Sequence, residues 1–225
     1  MRYPGAKWNP SPDNCFTKKF TKKIAVCNHR TVGWIGYLRN FDHLKEGRTI
    51  SAHFTVALDG SVEQHVDTDY VAWTQGVSTA QYAYAASNWS LFKNRNPNID
   101  CIGIEHEDGA KPFNDARPMP EAQLEATIAL HKWLFENVIE ADCVRGETLI
   151  SHDMLTTNRS GDPGEWLMGR IAAALQKTRD VGAASLRRDD YEARLEALEE
   201  WQTECQRAAD KTVERVADLE NWRKS

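Results

Sequence analysis

The chain has 225 residues, 41% of them apolar and 27% charged, with a formal net charge of −5. That composition fits a globular protein and excludes a disordered or fibrous one. The mildly acidic balance argues against nucleic acid as a partner and against a cationic membrane-disrupting peptide. No apolar run reaches the roughly eighteen residues that a spanning helix needs, so no stable membrane insertion is expected.

In chain order, residues 1–22 read as an N-terminal arm, polar and carrying Pro4, Pro10 and Pro12. The arm lacks the apolar centre of a secretory signal, so the expected location is the cytoplasm of the producing cell. Residues 23–28, KIAVCN, form a short apolar run that predicts a buried strand. Trp34, Ile35, Leu38 and Phe41 recur at helical spacing over residues 34–44. Residues 52–57 and 61–66 flank Asp59-Gly60, a hairpin signal because glycine accepts the positive φ of the turn. Residues 78–98 follow no period and hold Tyr82, Tyr84 and Trp89, which predicts a long functional loop. Residues 101–105 predict a central strand. Pro120 and Glu121 open a helix whose Leu124, Ile128, Leu134, Phe135 and Val138 lie mainly on one face. A last strand over 148–151 and a helix over 165–177 complete an alternation that predicts an α/β fold, a mixed central sheet flanked by helices, over residues 23–180.

From residue 186 the pattern changes. Leu195, Leu198, Cys205, Ala209, Thr212, Val216 and Leu219 recur at coiled-coil spacings between charged residues, without Gly or Pro. Residues 186–225 therefore predict a long C-terminal amphipathic helix, forming a homo-oligomer or docking on its own domain. The five cysteines, Cys15, Cys27, Cys101, Cys143 and Cys205, show no C-x-x-C pair and read as reduced, packed thiols.

Three residues with metal-binding chemistry stand at the ends of ordered runs: His29, His152 and Asp162. Two imidazoles and a carboxylate make a three-ligand zinc set that leaves a fourth position for water. Spacing alone leaves open the ordinary reading of a strand-end histidine as a hydrogen-bonded residue. His43, His65, His106 and His131 carry no partner pattern and read as ordinary surface or core histidines.

Further motifs join these in order: His29-Arg30-Thr31, Ser51-Ala52-His53-Phe54, Asp59-Gly60, Val71-Ala72-Trp73 with Gly76, Asn98 before Ile102-Gly103-Ile104-Glu105, then His152 and Asp162-Pro163-Gly164. Together they resemble the zinc-dependent N-acetylmuramoyl-L-alanine amidases, which include phage endolysins, cytosolic muropeptide-recycling amidases and animal peptidoglycan recognition proteins. The resemblance implies zinc on His29, His152 and Asp162, and Glu105 as general base. It implies peptidoglycan or muropeptides as substrate, with Trp73 and Asn98 as candidate substrate contacts. Family members often carry a lysine two residues before the last ligand, where this chain has Ser160. Either Arg159 or His53 then supplies positive charge to the oxyanion, or zinc carries most of that load. The predicted tail favours an endolysin held in the cytoplasm and acting on the wall after release. The alternatives are a recycling amidase, a peptidoglycan-binding module without activity, and an interaction protein organised by the tail.

Overall fold

A computed structural model describes residues 1–33, 50–109 and 111–176. The predicted helix at 34–44 and the predicted tail lie outside the described residues. Those described fall in one compact unit, Met1–Thr178.

Eight strands and three α-helices organise them. The strands are β1 (Lys7–Trp8), β2 (Phe16–Thr17), β3 (Ala25–Arg30), β4 (Phe54–Val56), β5 (Val62–Gln64), β6 (Val71–Ala72), β7 (Cys101–His106) and β8 (Leu149–Ser151). The helices are α1 (Tyr82–Asn88), α2 (Glu121–Leu134) and α3 (Glu165–Gln176). Six strands form one mixed sheet in the order β1-β5-β4-β7-β3-β8, and β2 pairs with β6 in a separate ribbon. Strands β4, β7, β3 and β8 run parallel, while β5 returns antiparallel to β4. A mixed central sheet flanked by helices is as predicted. No described helix is long and apolar enough to cross a membrane.

The β4–β5 hairpin turns at Gly60, whose φ of +85° suits glycine, and a Cβ there would also strike the Ala122 carbonyl of α2. The N-terminal arm is more ordered than its prolines suggested, since β1 extends the sheet along β5 and β2 pairs with β6.

Alternation along β3 and β7 divides the core into two faces. Val26, Ile102 and Ile104 face Leu130, Leu134, Leu167 and Ile171 of α2 and α3. Ala25, Cys27 and Cys101 face Ala85, Trp89, Ile150 and Leu155. The stretch at 78–98 is not the featureless loop that was expected, for it contains α1. Seven residues are too few for a helix to hold alone. Trp89, 1% exposed, anchors it, with its indole N–H donating to the Glu147 carbonyl at 2.7 Å. Burying such a ring is worth about 2–3 kcal/mol. The Ala85–Trp89 spacing carried that helical signal, but the surrounding tyrosines and asparagines obscured it.

Candidate metal centre and cleft

The parallel strands β7, β3 and β8 end at the same edge of the sheet, the place where open α/β sheets collect functional groups. His29 lies near the end of β3 and Glu105 near the end of β7, paired in register on the same face. Asn28 pairs with Ser151, so His152, the next residue after β8, arrives beside His29. The two imidazole centroids are 4.2 Å apart. Asp162 comes from the loop before α3, where its Oδ1 accepts the Arg30 backbone N–H at 2.7 Å. One donor atom from each of His29, His152 and Asp162 lies within 4.8 Å of the others, and all three residues are buried.

The donor set suits a divalent cation such as zinc. His29 Nε2 is buried without a hydrogen-bond partner among the described residues. Burial, followed by His152, His106 and Arg159, holds the His29 ring well below the ordinary histidine range, so it is neutral and offers a lone pair. His152 donates its Nε2–H to the Gln75 carbonyl at 2.7 Å, which leaves Nδ1 facing Asp162 Oδ2 at 3.0 Å. A nitrogen and a carboxylate oxygen in that arrangement call for a positive centre. Two imidazoles and a carboxylate are a borderline-soft N/O set that zinc accepts.

Glu105 borders these three. Its Oε2 is sealed from solvent without a partner among the described residues. Burial pushes the carboxyl up to about 8; Asp162 adds to the rise, Arg159 opposes it and Asp108 adds further. A cation on the neighbouring ligands would pull it back down, leaving a group able to exchange a proton near neutral pH.

All five residues, His29, Glu105, His152, Arg159 and Asp162, line one cleft of about 570 Å³. Trp73 forms part of its wall, with the indole N–H donating to Thr17 Oγ1 at 3.3 Å. Arg159 is exposed on the rim, whereas Ser160 turns into a smaller neighbouring cleft of about 390 Å³.

Two expected site residues do not reach the cleft lining. His53 is fully buried; its Nε2–H donates to the Tyr70 carbonyl and its Nδ1 accepts the Gly103 N–H, each at 3.0 Å. Burial, with Lys23 adding, holds it well below the ordinary range, so it is a neutral cross-strand tie and no source of positive charge for an oxyanion. Asn98, 6% exposed, spends its Oδ1 on the backbone N–H groups of Thr74 and Gln75, and so shapes the cleft wall without forming its surface.

Gln75 and the Arg30 backbone N–H were not foreseen as parts of the site. A main-chain donor or acceptor leaves no mark in residue identity. Gly103 did offer a signal. It stands between bulky neighbours because a Cβ there would run into the Thr74 side chain, where the Trp73–Gly76 segment crosses the sheet.

Residues 12–165 match the model of a family described as N-acetylmuramoyl-L-alanine amidase. Among solved structures, N-acetylmuramoyl-L-alanine amidase LysC from Clostridium intestinale URNW superposes with a TM-score of 0.52 at 17% identity, over 76% of this chain and 97% of that one. A selenomethionine derivative of AmpD gives 0.54 at 20% identity, over 77% and 96%. Endolysine N-acetylmuramoyl-L-alanine amidase LysCS, also from C. intestinale URNW, gives 0.52 at 17%, over 76% and 95%. No curated protein matches the sequence. The structural likenesses establish the fold, and the family match spans more than half of the chain: it belongs to the N-acetylmuramoyl-L-alanine amidase family.

Proposed function

We propose that this chain hydrolyses the amide between the lactyl group of N-acetylmuramic acid and L-alanine in peptidoglycan, using zinc held by His29, His152 and Asp162. The observation that carries this reading is the close approach of those three donors in a cleft that also holds Glu105. Bound zinc supplies Lewis acidity toward the scissile carbonyl and lowers the pKa of water from 15.7 toward about 7.

The chain's own residues do the rest. Glu105 takes the proton from the attacking water as its oxygen adds to the lactyl carbonyl carbon, and returns that proton to the nitrogen of L-alanine as the C–N bond breaks. Arg159, on the cleft rim, offers positive charge to the developing oxyanion in place of the lysine that Ser160 lacks. Trp73 gives the substrate an aromatic wall.

The finer role we assign is that of an endolysin, made in the host cytoplasm and reaching the wall on release. The amphipathic sequence pattern of residues 186–225 supports it, as a segment for self-association or wall avidity. The test is mass spectrometry of fragments released from purified sacculi, with and without chelator. Peptides with a free L-alanine amine, absent after chelation, are expected. Release unaffected by chelator would overturn the zinc reading, and cleavage confined to small soluble muropeptides would assign a recycling role instead.

A further inference from the structure

The Trp73–Gly76 segment lines the cleft, and the Asn98 side chain holds the backbone at its centre. Asn98 Oδ1 accepts two backbone N–H groups, from Thr74 at 3.1 Å and from Gln75 at 2.9 Å. The next polar atom along, the Gln75 carbonyl, accepts the Nε2–H of His152 at 2.7 Å. That bond requires a proton on Nε2 of His152 and turns Nδ1 toward Asp162. Asn98 is itself held on both sides. Its N–H donates to Asn96 Oδ1 at 3.0 Å, and its carbonyl, like that of Ile99, accepts from the buried ammonium of Lys23, at 3.4 and 3.1 Å respectively.

We infer that Asn98 is a positioning residue: through the Gln75 carbonyl it fixes the tautomer and orientation of His152, and thereby the strength of the metal site. The inference rests on the zinc reading above. Its physical basis is that a ligating imidazole is set by the bond its other nitrogen makes. A carbonyl can hold that bond only if its own peptide is fixed. Here two amides gathered on one oxygen fix the two peptides that immediately precede that carbonyl, in a segment whose other anchors, at Ser51, hold Trp73 and the Thr74 hydroxyl. This also fits the absence of Asn98 from the cleft surface, since its Oδ1 is occupied by two backbone amides.

The experiment uses the full chain and three variants, Asn98→Ala, Asn98→Ser and Asn98→Asp. Aspartate keeps an oxygen that accepts from both N–H groups, while serine is too short to reach both. Zinc affinity is measured by competition with a chromophoric chelator. The tautomer of His152 is read in the metal-free proteins by nitrogen-15 NMR. Weakening of zinc binding by about 10–100-fold is expected for Ala and Ser, the usual worth of a partner behind a ligand. Affinity close to wild type is expected for Asp. In wild type and in Asn98→Asp, Nε2 should carry its proton, bonded to the Gln75 carbonyl, whatever the state of Nδ1 beside Asp162; in the other two variants that Nε2 proton should be partly lost.

Unchanged zinc affinity in Asn98→Ala, or an Asp variant as weak as the Ala one, would overturn the inference. If Asn98→Ala fails to fold, Asn98→Ser carries the same comparison. A wild type that binds no zinc sinks the metal reading, and the metal-free tautomer measurement then decides for Asn98 by itself.

Discussion

The two faces of β3 and β7 each carry a pair of buried histidines, and the pairs have opposite fates. On the cleft face, His29 stands beside His152; on the α2 face, His106 lies 6.3 Å from His131, ring centroid to centroid. Burial holds His29, His106 and His131 neutral. His131 places Nδ1 2.8 Å from the Thr127 carbonyl and Nε2 2.9 Å from Asn28 Oδ1. His106 donates to the His29 carbonyl at 3.0 Å and so braces the strand from behind. Only the cleft pair meets a carboxylate at ligand distance and opens onto space for a substrate. Burial alone therefore does not make a metal site. A third donor and an approach route do.

Removing one histidine from each pair should separate the two faces most sharply. His152→Ala is expected to abolish both bound zinc and turnover, read by elemental analysis and muropeptide release. His131→Gln, by contrast, should retain zinc and activity once folded. Loss of zinc in the His131 variant would show that the two faces are not independent. Next in size, Glu105→Gln should lower turnover by about 10²–10⁴-fold while zinc remains bound. Turnover near wild type would take the base role away from Glu105.

How far the sequence revealed this division is clear from particular residues. Short apolar runs with metal-compatible ends located β3, β7 and β8, and the motif order brought His29, Glu105, His152 and Asp162 to one end of the sheet. His53 and Asn98 stood in equally prominent motifs, yet both are consumed by backbone hydrogen bonds. Residue type shows that a side chain can bond, but not whether it meets a substrate or an amide of its own chain. Helix α1 went unread for a related reason: its stability comes from Trp89 docking on distant residues rather than from its own seven. The histidines of the α2 face, His106 and His131, looked ordinary in sequence and are buried in the core.

The neutral histidines of the α2 face have a consequence for stability that sharpens the contrast. Burial, with His106 adding and the Thr127 bond opposing, lowers the His131 pKa from 6.5 to about 3. Between those values the unfolded chain takes up a proton that the folded chain refuses. Stability is therefore intact above about pH 6.5 and lost progressively as pH falls toward 3. Denaturant titrations of wild type and His131→Gln across this window should show a flatter pH slope for the variant. Equal slopes would mean that His131 is not the titrating group.

The smallest effect expected tests the charge on the cleft rim. Arg159 borders the cleft while Ser160, at the position where relatives often carry lysine, faces the neighbouring one. Removing an enclosed oxyanion donor costs roughly 10²–10³-fold in turnover. Arg159 is exposed, so water screens its charge and its long side chain must be ordered for each turnover; about tenfold is the expected loss for Arg159→Ala. The loss should fall on kcat rather than KM, because the charge it stabilises exists only in the transition state. Arg159→Lys should recover most of the loss, since a point charge suffices where no planar bidentate partner is required. A rise in KM with kcat unchanged would make Arg159 a substrate contact, and the oxyanion would then depend on the metal.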